Sequence, residues 1–369
     1  MESYIEAYMG ALIKEFRVVT IQFPKLLFHT LYFGGGTPSL IPAKYYQQLM
    51  KEIRNTCDLT GDCEITLETN PGTLSLTYLE QLREAGINRL SMGVQSTDTF
   101  DLKRLDRIHT INDVLSSFRD ARRAGFTNIN LDMIFALPWQ DLSGWRHSLD
   151  RALMLQPEHF SLYSLIVEPG TPLYHWYQKG WIETQNEDLE ADMYEYAMQA
   201  LKAAGYEHYE ISNWAKSGED RDFQSRHNRQ YWLNQSYFGF GAGAHGYVKG
   251  IRTVNIPLIP DYIEKMRAAA EEEPINIPAS PAAISSDVID EDTQMQDEMM
   301  LGLRLVRDGV GEDSFRQRYG RSMLDVFGEE ITQLEHQGLV EWVEGAGEKR
   351  LRLTHRGIFL ANRVFREFI

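Results

Sequence analysis

Apolar residues in the first two thirds of the chain fall into short runs separated by amphipathic stretches. The runs at 31–33, 65–67, 90–94, 129–135 and 160–167 have strand character, and intervening segments such as 78–84 and 114–123 have helical spacing. This alternation predicts repeated βα units around a parallel sheet. Ala-Gly steps at 85–86, 124–125 and 204–205 close three helical segments, because glycine suits the left-handed position that follows a helix. They lie 39 and then 80 residues apart, the second interval close to twice the first, as a barrel of similar units would give. Tyr4, Ile5, Tyr8, Leu12, Ile13 and Phe16 form an apolar helical stripe with no strand before it. That stripe leaves two readings open, a missing first strand or an N-terminal cap helix.

The pattern changes after residue 206. One strand-like run at 206–211 is followed by a loop-like, aromatic and glycine-rich span at 225–246. Residues 271–292, with Glu271, Glu272, Glu273, prolines and small polar residues, read as a linker. Helical spacing resumes at 295–305 and 331–334, then a hairpin is expected from 339–343 and 350–353, and a closing helix from 356. Four segments follow: a barrel-type domain over 1–205, an extension over 206–270, the linker over 271–292, and a small α+β winged-helix-like domain over 293–369.

Composition narrows the class. Of 369 residues, 43% are hydrophobic and 24% charged, a balance that supports a large buried core. The net charge of -16 disfavours nonspecific attraction to nucleic acid. The C-terminal domain is itself acidic, so its winged-helix pattern suggests covering a site mouth or docking a partner instead of reading DNA. No apolar stretch reaches the roughly 20 residues that span a bilayer, and the first turns carry Glu2, Glu6 and Glu15 instead of a basic signal. A cytoplasmic protein is expected, with Cys57 and Cys63 as reduced thiols.

Polar or glycine-rich groups end five successive strand-like runs: Gly34-Gly35-Gly36, Glu68, Gln95, Asp132 and Glu168. In parallel α/β folds the C-terminal strand edge is where ligand sites are built. The Gly34 to Ser39 turn could bring backbone amides close to a carboxylate or phosphate, and it could equally be a tight turn. Asp132 lies inside an apolar run, where a carboxylate needs a partner, either a structural ion pair or a ligand.

The ordered motifs GGGTPS, ETNPGT, SMGVQS, LDMIFALP and SLYSLIVEPGTPLY resemble the radical-SAM core of the oxygen-independent coproporphyrinogen III oxidase group. YEISNWA and HNRQYW extend the resemblance toward its HemW-type heme chaperones. The implied fold is α/β, a partial TIM-type radical-SAM barrel lacking its first strand, with the C-terminal winged-helix-like domain. The resemblance implies S-adenosylmethionine contacts from Gly35, Gly36 and Thr37 at the amino-acid end, and from Glu68, Gln95, Arg107, Asp132 and Ile166 around the rest. It implies a heme contact at His227, with His227 as iron ligand and Tyr231 and Trp232 packing on the porphyrin. The expected function is heme binding and delivery to an acceptor protein, with peripheral contact to a membrane-bound acceptor also expected. A coproporphyrinogen dehydrogenase and a noncatalytic relative are the rival readings. The group's CxxxCxxC loop, which holds a 4Fe-4S cluster, would lie upstream of Met1, and Cys57 and Cys63 do not replace it. The chain as it stands is therefore expected to hold no cluster, and whether it acts as an enzyme stays open.

Overall fold

A computed structural model describes residues 2–23, 25–218, 221–270 and 278–369. The chain divides into two compact units. The first comprises Met1–Leu31, Ile41–Glu64 and Ser225–Ile369; the second comprises Tyr32–Leu40 and Ile65–Gln224. The opening helix and the C-terminal module thus share a unit.

From the N-terminus come α1 (Glu2–Thr20), β1 (Leu27–Phe33), α2 (Ala43–Thr56) and β2 (Asp58–Thr69). The chain then alternates as the sequence predicts: α3 (Leu76–Ala85), β3 (Arg89–Gln95), α4 (Thr99–Arg104), α5 (Ile111–Arg123), β4 (Ile129–Phe135), α6 (Leu142–Leu153) and β5 (His159–Ser164). Next are α7 (Pro172–Gln178), α8 (Glu187–Ala203), β6 (Tyr206–Glu210) and β7 (Asn213–Lys216). The seven strands form one open sheet in the order β1-β2-β3-β4-β5-β7-β6. Strands β2 to β5 run parallel, whereas β7 joins β5 and β6 joins β7 antiparallel.

Local chemistry explains these boundaries. Ser75 caps α3 by accepting from Tyr78 N, and Thr110 and Asp113 form a reciprocal capping box on α5. Gly86 and Gly125 close α3 and α5 at φ 106° and 88°. Leu79, Leu82, Val114 and Leu149 from the helices and Leu67, Leu90, Met92 and Leu131 from the strands are wholly buried. Each such side chain contributes about 1.5–3 kcal/mol by leaving water, so this core fixes the sheet on which the site is built.

In the first unit, α9 (Arg226–Trp232), β8 (His245–Val248), β9 (Ile251–Asn255), α10 (Ile259–Ala268) and β10 (Ala283–Val288) precede the C-terminal module. Two expectations change here. The span 225–246 is not all loop: Ser225 Oγ accepts from Asn228 N at 3.2 Å and starts α9, which carries HNRQYW. The expected linker also contains structure, because β10 pairs antiparallel with β9; its glutamates 271–273 lie outside the described residues. The module continues with α11 (Glu291–Gly302), β11 (Val310–Gly311), α12 (Glu312–Tyr319), α13 (Met323–His336), β12 (Val340–Gly345), β13 (Glu348–Leu353), α14 (His355–Phe359) and α15 (Ala361–Arg366). Its β11-β13-β12 sheet contains the expected hairpin.

Most of the apolar stripe of α1 is at least partly covered within this unit, while Tyr4 stays exposed. Tyr8 packs on Tyr262 of α10 with ring centroids 5.6 Å apart, and Phe16 meets Phe240 edge-on at 5.3 Å. The buried Glu15 carboxylate accepts from Gly241 N at 2.7 Å, Asn255 Nδ2 at 2.6 Å and the Tyr262 hydroxyl at 2.7 Å. These bonds give α1 a packing role of its own. Among the described residues, no helix is long and apolar enough to cross a membrane.

Candidate functional site

The second unit contains a cavity of about 500 Å³ at the C-terminal ends of its parallel strands. This volume falls in the range typical of small-molecule sites. Gly36, Thr37, Glu68, Gln95, Arg107, Asp132 and Ile166 line it, so seven of the eight residues expected around S-adenosylmethionine converge. Gly35, the eighth, donates its N–H to Glu68 Oε2 at 3.1 Å and thereby joins the glycine loop to the cavity wall.

The loop between β1 and residue 40 is shaped by close approach. A Cβ on Gly34 would lie 2.6 Å from the Tyr32 ring and 2.9 Å from Glu68 Oε1. Gly35 and Gly36 adopt φ values of 82° and 64°, which glycine reaches without the usual steric penalty. Glu68 braces the loop from β2, accepting the Tyr32 hydroxyl at 2.7 Å as well as Gly35 N. Ser39 ties the loop to the next turn through Thr73 Oγ1 at 2.7 Å and Asn70 N at 3.1 Å.

Gln95 precedes α4 and Arg107 follows it, and both line the cavity. Gln95 ends β3 at φ 65°, beside a register shift against β4. Asp98 caps α4, while buried Asp101 accepts Ser96 Oγ at 2.9 Å and Trp139 Nε1 at 2.8 Å. The turn then closes with Arg107 N donating to Leu102 O at 2.9 Å. Arg107 is exposed and adds a cation to the cavity lining.

Asp132 is held in the lining by two donors from the sheet. Ser91 Oγ donates to its Oδ2 at 2.9 Å, and Asn130 Nδ2 lies 2.7 Å from Oδ1. Burial pushes the carboxyl up from its ordinary range, while these two donors oppose the shift. The sequence reading missed Tyr32, Ser91, Asn130 and Tyr163. The period-two series Ser91-Gly93-Gln95 and Asn130-Asp132-Ile134 carried the relevant signal, because alternate strand residues share a face. Glu168 does not join the lining; its carbonyl receives the Thr171 hydroxyl at 2.7 Å, in the turn before α7.

His227, Tyr231 and Trp232 belong to the first unit, on α9. Glu64 accepts the backbone N–H groups of Arg226 and His227, fixing the start of that helix. Both His227 ring nitrogens have neighbours, Thr30 Oγ1 at 3.1 Å from Nδ1 and the Tyr231 hydroxyl at 2.9 Å from Nε2. The Arg304 guanidinium lies over one face of Trp232, 4.3 Å from the ring centroid. Iron ligation through Nε2 therefore requires Tyr231 to release it, and porphyrin packing on Trp232 must use a face that Arg304 leaves open.

The described residues do not fit a 4Fe-4S cluster. Cys57 and Cys63 are buried, and burial pushes each thiol up to about 11, away from the thiolate that binds iron. Among the described residues no group of three or more His, Cys, Asp or Glu side chains is arranged to hold a metal ion.

Comparisons with known proteins place this geometry in context. Residues 17–152 match the Radical SAM superfamily, and residues 289–360 match the HemN C-terminal domain. The chain is 40% identical over 366 residues to the heme chaperone HemW of Bacillus subtilis, an alignment spanning 99% of this chain and 92% of the relative. It is 38% identical over 365 residues to the heme chaperone HemW of Lactococcus lactis, spanning 99% and 90%. In structure it resembles the Escherichia coli coproporphyrinogen III oxidase HemN, a radical SAM enzyme, at TM-score 0.81 and 22% identity, covering all of this chain and 84% of that one. This last likeness establishes the fold, including the expected α/β radical-SAM architecture.

Proposed function

The chain belongs to the HemW heme-chaperone family, and we propose on that premise that it binds heme reversibly and delivers it to an acceptor protein in the cytoplasm. The observation that carries this reading is the 40% identity sustained over 99% of the chain. At the residue level, His227 is the proposed iron ligand, released by Tyr231 when heme arrives, with Tyr231 and the half-buried Trp232 against the porphyrin. A histidine held by a neutral hydroxyl suits transfer, because exchanging one neutral hydrogen bond for a metal bond requires little rearrangement. Contact with a membrane-bound acceptor belongs to the same proposal.

We assign the second unit's cavity to S-adenosylmethionine. Bound there, the cofactor would present an amino-acid end, a sulfonium cation, ribose hydroxyls and an adenine ring. Gly35, Gly36 and Thr37 fit the amino-acid end, and Glu68, Gln95, Arg107, Asp132 and Ile166 fit the remainder. Two carboxylates, one guanidinium and a turn of glycines match a ligand carrying charges of both signs.

Hemin titration tests the chaperone reading. A saturable Soret shift is expected, altered by His227→Ala in a protein that remains folded by circular dichroism. Tyr231→Ala and Trp232→Ala should weaken binding while retaining the histidine-dependent spectrum. Saturable binding with an unchanged spectrum in His227→Ala removes this histidine from the site; absence of saturable binding rejects the function.

A further inference from the structure

Behind Asp132 lies a chain of buried polar groups. Asn130 Nδ2 lies 2.7 Å from both Asp132 Oδ1 and Ser91 Oγ, while Asn130 Oδ1 lies 2.6 Å from His159 Nδ1 and 3.2 Å from Ser161 Oγ. His159 Nε2 lies 2.7 Å from the Tyr209 hydroxyl. Asn130, His159, Ser161 and Tyr209 are all at most 2% exposed.

Two proton arrangements satisfy this chain. An ionised Asp132 can face only the amide nitrogen of Asn130. Asn130 Oδ1 then accepts from His159 Nδ1–H, and neutral His159 accepts the Tyr209 hydroxyl at Nε2. A protonated Asp132 permits the opposite orientation: the Asn130 amide turns over, its oxygen accepts the carboxylic proton and its nitrogen donates to an unprotonated His159 Nδ1. In that state His159 Nε2–H donates to Tyr209. Burial, followed by the nearby Arg89 guanidinium, holds His159 well below its ordinary value and disfavours imidazolium.

We propose that His159 is a positioning residue whose Nδ1–H tautomer, transmitted through Asn130, holds Asp132 as an acceptor for hydroxyl or ammonium groups of the ligand in the cavity. The proposal rests on the S-adenosylmethionine reading of that cavity. It explains why a cavity-facing carboxylate is backed by an amide and an imidazole, although a direct cation could provide charge compensation. The Asp132 surroundings contain several other titratable or charged groups. Tyr32, Glu68, Arg107 and Tyr163 share its cavity, and Arg89 acts on both Asp132 and His159. Glu210 and Asp132 both act on Tyr163. Arg89 favours the carboxylate, whereas burial opposes it, so the directed hydrogen bonds can decide the balance.

The test combines tautomer and binding measurements. In ligand-free protein labelled with 15N-histidine, the His159 signal, assigned by its loss in His159→Gln, should report Nδ1–H near neutral pH. Calorimetry with S-adenosylmethionine should give similar affinities across about pH 6 to 8 for the wild type. His159→Phe, which removes the donor, should bind about tenfold more weakly and lose further affinity as pH falls, while His159→Gln restores part of the loss. An Nε2–H tautomer near neutral pH overturns the proposal, as does weaker binding by His159→Phe with an unchanged pH profile. If wild-type protein binds no S-adenosylmethionine, the cavity assignment fails, and the tautomer measurement decides the His159 proposal independently. The same wild-type measurement decides it if His159→Phe does not fold.

Discussion

Glu15 in the first unit and Asp132 in the second are both carboxylates surrounded by hydrogen-bond donors, and burial pushes both up from their ordinary ranges. Their surroundings differ in a way that separates structural from ligand-binding chemistry. Glu15 receives donors from the 241 turn, β9 and α10, and these bonds fasten α1 to elements far along the chain. Asp132 receives Ser91 and Asn130 from neighbouring positions in the sheet, yet it also borders a cavity of about 500 Å³. Burial and donor number therefore do not identify a functional carboxylate; access to a ligand-sized space supplies the distinction.

The largest expected effect lies at Glu15. Glu15→Ala should lower stability by about 3–5 kcal/mol, because it removes the shared acceptor and leaves buried donors without it. Denaturant unfolding checks this magnitude; a loss below about 1 kcal/mol would place Glu15 among ordinary mutational effects and break the comparison. Asp132→Ala should produce the complementary result, with S-adenosylmethionine affinity at least about tenfold weaker and little loss of folding stability. Calorimetry paired with thermal unfolding distinguishes these effects, and a large stability loss with unchanged affinity would make Asp132 structural.

Acid separates Glu15 from His159, the group behind Asp132, through opposite signs. His159 has a depressed folded-state pKa, so its contribution is complete above its ordinary value of 6.5 and is lost as pH falls toward the folded value. Wild type should lose up to about 1.4 kcal/mol per pH unit below that point relative to His159→Gln. Glu15 has a raised folded-state pKa, so its folded form takes up a proton first, and lowering the pH toward 4.5 favours folding at that site. Stability curves for wild type, His159→Gln and Glu15→Gln should diverge accordingly; parallel curves would remove the proposed distinction. The smallest expected effect is at Tyr231. Tyr231→Phe releases His227 Nε2 while retaining an aromatic ring, so heme should bind more tightly by about 0.5–1.5 kcal/mol. Weaker hemin binding in this variant would mean that the hydroxyl assists the complex instead of competing with it.

Much of the cavity was legible because successive parallel strands deliver their ends to one rim. Glu68 and Gln95 advertised themselves as polar groups following apolar runs and Asp132 as a carboxylate inside one, and the intervening α4 turn brings Arg107 back to the lining. The supporting layer was less visible. Asn130 and His159 open their strands among apolar and small polar residues, and their relationship depends on the parallel register that sets them beside one another. Ser225 could have identified α9 through its capping chemistry, but the aromatic and glycine-rich sequence around it favoured a loop reading. Glu15 was least legible because the residues that accept it into the core are 226 to 247 positions away.

That separation also imposes an order during synthesis. At about 5–20 residues per second, the ribosome needs tens of seconds after making Glu15 to supply Gly241, Asn255 and Tyr262. Throughout that interval the nascent α1 helix has its apolar stripe but lacks this final clasp. The second unit's 65–224 segment emerges before the clasp is complete, giving the cavity-bearing sheet an opportunity to form while the first unit still awaits its distant partners. Slowing elongation after residue 224 would lengthen this exposed state without changing a single contact in the finished protein.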